Sequence, residues 1–130
     1  VLDTEGYPTL VPAVDDDGND RGCLNAPMVL APLAPYTGWN LRARGQGHGA
    51  KYQFSGSTIP FPETPKERQV TADPRASILE RYPNAESYVE AVRAASRQLV
   101  EERYMLEEDL ERCVEWAKDW DRLRHQIRLP

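Results

Sequence analysis

Few residues of this chain have types suited to chemistry near neutral pH, and several of them gather in one place. Residues 42–49, RARGQGHG, set two arginines and His48 among three glycines just after the segment YTGWN. A histidine between glycines can approach a ligand closely, and its reference pKa of about 6.5 suits proton transfer. His48 is therefore a candidate for a catalytic or ligand-facing role, with an exposed loop histidine as the plain alternative. Arg42 and Arg44 either grip an anionic group together or form ion pairs at the surface. Tyr36, Trp39 and Asn40 are candidates for the wall of a substrate pocket. An indole supplies large apolar area with one donor, and a neutral amide orients a substrate without adding charge. A simple packing role accounts for Trp39 just as well.

Other arrangements fail on their spacing. Asp15, Asp17 and Asn19 are spaced like the first ligands of an EF-hand loop, but Asp20 stands where that loop needs glycine and Ala26 where it needs glutamate. DDDGND is instead expected to form a hairpin-like turn or a solvated acidic loop, with Asp17-Gly18 as its turn dipeptide. Gly45, Gly47 and Gly49 imitate a dinucleotide fingerprint, which works only between a strand and a helix that aims its amides at a pyrophosphate. The next residues, AKYQF, read as extended. The chain contains no Gly-x-Ser-x-Gly, P-loop, HExxH or CxxC pattern, and His48 and His125 are its only histidines. No catalytic residue is assigned, and neither a metal nor a cofactor is expected.

The elements that must position these residues divide by composition. All eight glycines lie at or before Gly56, and most prolines at or before Pro65. Residues 1–62 are thus expected to be an arm of loops and short strands, since Gly and Pro prevent long helices. Within it, the prolines of APMVLAPLAPYTGWN forbid a central strand, and Tyr52 and Phe54 alternate with polar neighbours as on a half-buried strand. The arm is expected to need another chain, or self-association, to bury MVLAPLAPY.

Residues 63–130 read as helical. Thr64-Pro-Lys-Glu67 is a capping box, in which the hydroxyl accepts from the Glu67 amide and the Glu67 side chain returns to the Thr64 amide. Asp73-Pro74 predicts a second helix over RASILERY, ending before Pro83. Asn84 caps a third, whose stripe of Tyr88, Val89, Val92, Ala95, Leu99 and Val100 has helical spacing. Leu106, Leu110, Cys113, Val114, Ala117 and Trp120 continue the pattern in a last helix. These segments, spanning 64–122, predict short capped helices followed by an antiparallel helix pair, with each stripe facing a core.

The chain has 130 residues and a formal net charge of −5, which suits one small soluble unit and argues against a nucleic-acid partner. No apolar run approaches the roughly 18 residues needed to span a bilayer. Cys23 and Cys113 define neither a disulfide framework nor a zinc site, and they fix no compartment. A chain beginning at Val1 is expected to be a processed product or a piece of something longer.

Taken together, YPTLVPAVDDDGND, APLAPYTGWN, GSTIPFPETPKER, DPRASILERY and YVEAVRAASRQLVEERYMLEEDLERCVEWA resemble, in that order, the C-terminal region of a large bacterial family named for its α/β-hydrolase domain. The residues around 22–25 and 45–49 depart from the family pattern, as does Pro35, where threonine is usual before YTGWN. The resemblance implies an α/β parent fold and a serine-type hydrolase acting on an ester-like bond. Its nucleophile and oxyanion hole would lie upstream, in an N-terminal hydrolase region or a separate chain. The alternative is a non-catalytic docking or assembly module, in which the helices present a surface and the arm wraps a partner.

Overall fold

A computed structural model describes residues 10–126, apart from the side chain of Gln126. The first nine residues, with Tyr7 and Thr9 of the first family-like stretch, lie outside the described residues. The described chain is a small mixed α/β structure of six helices and two antiparallel two-stranded sheets.

The last three helices make the scaffold. Helix α4 runs over Ala85–Glu101, α5 over Glu107–Ala117 and α6 over Trp120–Gln126. Asn84 starts α4 with a reciprocal cap: its side chain accepts from the Ser87 amide at 2.8 Å, and Ser87 Oγ accepts from the Asn84 amide at 3.2 Å. The apolar stripe of α4 buries Tyr88, Val92 and Leu99, with Ser96 on the same face, against Leu110, Val114 and Ala117 of α5. The last helix is not continuous to Trp120 as its pattern suggests. It stops at Ala117, and Trp120 opens α6, because Asp119 is a poor helix interior residue and a good helix starter. The break turns the Trp120 ring onto Tyr88, with centroids 4.9 Å apart, and edge-on to Tyr82 at 6.2 Å. Leu106 precedes α5 and is exposed rather than packed.

Two shorter helices precede the scaffold. Helix α2, Pro65–Thr71, begins as its sequence predicts, with the Glu67 amide donating to Thr64 Oγ1 at 3.1 Å. The Glu67 carboxylate, however, returns to the Glu63 amide at 2.7 Å, one residue before the expected Thr64. Helix α3 is confined to Ile78–Arg81. Asp73 does not cap it. Ser77 does, with the Glu80 carboxylate accepting from both its amide and its hydroxyl. The Asp73 carboxylate instead folds back on the next residues, accepting from the Arg75 amide and from its guanidinium.

The arm is built from one short helix and four very short strands. Helix α1 covers Pro27–Leu30, and the residues after it, 31–35, are buried. Ala31, Leu33 and Phe61 join Ile78, Tyr82, Tyr88, Val92, Ala117, Trp120 and Leu123 in one core, while Met28 and Leu30 stay exposed. Strand β1, Tyr36–Thr37, pairs with β4, Ser57–Thr58, and β2, Asn40–Leu41, pairs with β3, Lys51–Tyr52. The expected alternation through Phe54 fails. Strand β3 stops at Tyr52, and Phe54 is 88% exposed, its ring edge-to-face with that of Tyr52.

Candidate functional site

The segment YTGWN occupies β1, the turn after it and the start of β2, so the two small sheets meet at this point in the chain. Three contacts hold it. The Tyr36 amide donates to Asn19 Oδ1 at 2.9 Å, and Asn19 is itself buried in the acidic turn. Thr37 and Ser57 face each other across the β1–β4 pair with their hydroxyl oxygens 2.5 Å apart. Both hydroxyls also reach the Trp39 carbonyl, at 2.6 and 3.1 Å. Two protons serve these three contacts: one hydroxyl donates to the carbonyl while the other donates to its neighbour. Glycine is required at position 56 for this closeness, since a Cβ there would stand 2.3 Å from the Thr37 carbonyl oxygen.

Around this knot Trp39 is half-buried, and its indole Nε1 is enclosed without an acceptor among the described residues. An enclosed donor left unpaired costs about 1–3 kcal/mol. Asn40 is half-buried too, its Oδ1 accepting from the Leu41 amide at 2.8 Å. Burial raises the pKa of the Tyr36 phenol. The same cause raises Tyr82 to about 12 and Tyr88 further still, with the Tyr36 phenol adding to both. Of the three, Tyr82 and Tyr88 also meet edge to face, with ring centroids 5.2 Å apart.

The acidic turn at 15–20 is an anchor rather than a solvated loop. The Asp15 carboxylate accepts from the amides of Asp17, Gly18 and Asn19 at 2.9–3.0 Å, while Val14 bridges to Asp20 as in a small hairpin. Gly18 adopts φ +98°, and a Cβ there would press on Pro35. Asp17 is gripped by both terminal nitrogens of Arg81, sixty-four positions away. Arg81 and Arg75 lie over the Phe61 ring at 4.3 and 5.0 Å, so this clasp ties the acidic turn, Phe61 and α3 together. With Asp15, Asp17 and Asn19 so engaged, the EF-hand reading has no ligand set. Among the described residues no three His, Cys, Asp or Glu side chains gather as they would around a metal ion.

RARGQGHG is the loop of the β2–β3 hairpin. The Arg42 amide donates to the Ala50 carbonyl at 2.9 Å and the Gly49 amide returns to Arg42 at 3.2 Å, closing the loop, while Gly45, Gly47 and Gly49 all take positive φ. Strand, not helix, comes after it. His48 sits near the tip, exposed and without a hydrogen bond among the described residues. Arg42 lies over the Tyr52 ring at 5.2 Å, and neither Arg42 nor Arg44 forms the ion pair its setting suggested among the described residues. The structure thus gathers Tyr36, Trp39 and Asn40 on one turn and holds His48 out on the hairpin.

Sequence reasoning passed over Asn19, Thr37 and Ser57. Asn19 was visible only as a failed calcium ligand, and the hydroxyl pair becomes legible only once β1 and β4 are in register.

The turn and its helical scaffold place the described chain among small mixed α/β structures. The family model described as alpha/beta hydrolase domain matches residues 2–115, and the chain belongs to that family. No curated protein and no solved structure matches it. Among the described residues, no helix is long and apolar enough to cross a membrane.

Proposed function

We propose that this chain is the C-terminal portion of a serine-type hydrolase acting on an ester-like bond, within a parent fold that is α/β overall. The family match, which runs through both the arm and the helices, carries this reading. The whole chain forms one subdomain in it: residues 1–62 are an arm that closes the surface near the parent sheet, and residues 63–130 are the helical part packed on it. The nucleophile and the oxyanion hole come from an upstream region or a separate chain. Ser57 is not the nucleophile, for its hydroxyl is committed to Thr37 and the Trp39 carbonyl and has no imidazole beside it.

In the reaction, a serine oxygen attacks the acyl carbon, and backbone amides stabilise the oxyanion that develops. Trp39 and Asn40 contribute orientation. The indole lends apolar area, and the Asn40 amide nitrogen offers a donor to a substrate oxygen. Tyr36 supplies a neutral wall, and His48 borders the approach. The assembly reading keeps one support of its own: Leu41 and Phe54 project from the hairpin, 56% and 88% exposed, as they would at a partner's surface.

The test is to assay short acyl esters and serine-directed phosphonate labelling with the chain alone and joined to its natural upstream sequence. The hydrolase reading predicts no turnover from the chain alone, and turnover with one labelled serine outside these 130 residues in the joined protein. A folded joined protein that neither turns over nor labels would contradict it and leave the assembly reading standing.

A further inference from the structure

Between the residues leading into α1 and the turn joining α4 to α5 lies an open cleft of about 470 Å³. Its walls are mainly apolar, with Leu24, Pro27, Leu99, Met105 and Leu106. Leu24 and Leu106 are 59% and 62% exposed, so the cleft presents unburied hydrocarbon. It shares no lining residue with the YTGWN turn, so a ligand bound there is independent of the hydrolase reading.

The polar groups on its wall are mostly donors. Arg103, like Arg42, Arg44 and Arg97, has no ion pair and no side-chain hydrogen bond among the described residues, whereas Arg68, Arg75, Arg81, Arg93, Arg112, Arg122 and Arg124 each meet an acid; of the four, Arg103 lines the cleft. The Asn25 oxygen accepts from Cys23 Sγ at 3.2 Å, which leaves its NH₂ for another partner. Tyr104 lines the same cleft. The one acid on the wall, Asp109, is held by Arg112 at 3.1 Å.

Arg103 is also out of place conformationally. Its backbone takes φ +65°, at the position after the α4 C-cap where the Tyr104 amide returns to the Leu99 carbonyl at 2.8 Å. That closing turn is ordinarily made by glycine, because a Cβ is disfavoured in the left-handed region. The turn places an arginine where the backbone favours glycine, and that arginine lines the cleft while staying exposed to solvent.

We infer that the α1/α4–α5 cleft binds an amphiphilic monocarboxylate. Its hydrocarbon tail lies against Leu24, Pro27, Leu99 and Leu106, and its carboxylate is held by the Arg103 guanidinium with the Asn25 amide. A planar guanidinium matches a carboxylate with two parallel hydrogen bonds. Glu101, Glu102, Glu107 and Glu108 flank Arg103 along the chain, and their repulsion of an anion doubles with its charge, so one negative charge is favoured over two. The volume lies in the range of small-ligand sites.

The test titrates the chain with decanoate, decanol and decyl phosphate by calorimetry, and compares the protein with Arg103→Gly. Decanoate should bind saturably, with decanol and decyl phosphate each at least about tenfold weaker, since losing one charged hydrogen-bonded pair costs a factor of that order. Arg103→Gly should lose decanoate affinity by a similar factor while its melting temperature rises by about 4 °C, because glycine suits the left-handed turn. The opposite movement of binding and stability separates a ligand role from a structural one. No saturable decanoate binding, equal affinity for decanol, tighter binding of decyl phosphate, or unchanged affinity in a folded Arg103→Gly would each overturn the assignment.

Discussion

The arm and the helical half are of similar length but are held together differently. Residues 85–126 cohere through apolar stripes at helical spacing, in which Tyr88, Val92, Leu110, Val114 and Trp120 meet neighbours that local sequence already places on the same faces. Residues 13–62 have strands only two residues long, too short to be stable as sheets, and depend on single polar contacts between distant positions. Asn19 holds the Tyr36 amide, Ser57 meets Thr37, and Asp17 meets Arg81. A helix pair tolerates the loss of one contact because many small ones share the load. A chain of single contacts does not, and the candidate site stands on such a chain.

That contrast can be broken first at the scaffold. Tyr88→Ala removes the ring on which Tyr82 and Trp120 pack, and should cost about 4 kcal/mol. Because the arm buries Leu33 and Phe61 in the same core, denaturant unfolding followed by tryptophan fluorescence and by far-ultraviolet dichroism should shift together. Separate shifts would mean that the two halves are independent units.

Gly56→Ala tests the arm alone. The added methyl meets the Thr37 carbonyl, and forcing β1 and β4 apart should cost about 3 kcal/mol. Amide exchange should quicken at residues 36–58 while α4 and α5 keep their protection.

The Asp73–Arg75 pair in the helical half has a pH signature. Hydrogen bonds from Arg75 hold the Asp73 carboxyl down at about 2, below its ordinary value near 3.9. A carboxyl depressed by folding stabilises the native state above its unfolded pKa, and that contribution is lost as pH falls from about 4 toward 2. Asp73→Ala should cost about 2 kcal/mol at pH 7, by stripping Arg75 of its partner rather than by uncapping a helix. The difference between variant and parent should shrink as the pH approaches 2. A constant difference from pH 7 to pH 2 would show that the pair is not the source.

The smallest effect belongs to Thr64→Ala, which removes one cap from α2 and should cost about 1 kcal/mol without disturbing the arm. An unchanged denaturation midpoint would show that the Thr64 hydroxyl does not stabilise α2.

Legibility in the sequence divides along the same line. Thr64 and Asn84 announce their helices because capping is local, and the α4 and α5 stripes show because burial repeats every three to four residues. Asp73-Pro74 carries the same local signal and misleads: the carboxylate accepts from the Arg75 amide and guanidinium, but this closes a turn, and α3 starts only after Ser77. Trp120 reads as a continuation of α5 because its spacing fits, and only the aromatic cluster reveals the break. In the arm, Tyr36, Trp39 and Asn40 stand out by type and adjacency. Their supports, Asn19 and Ser57, do not, because nothing local links position 19 to 36 or 57 to 37.

The most direct measurement of the functional account compares Trp39→Ala with His48→Ala in the joined enzyme, by steady-state hydrolysis of a short acyl ester. A wall of Trp39 and Asn40 beside the substrate predicts that Trp39→Ala lowers kcat/KM by about tenfold or more, as lost apolar contact implies. His48, exposed at the hairpin tip, should change it by less than about twofold. A fall in kcat of about 100-fold for His48→Ala with KM unchanged, the signature of a lost general base, together with a silent Trp39→Ala, would contradict the account.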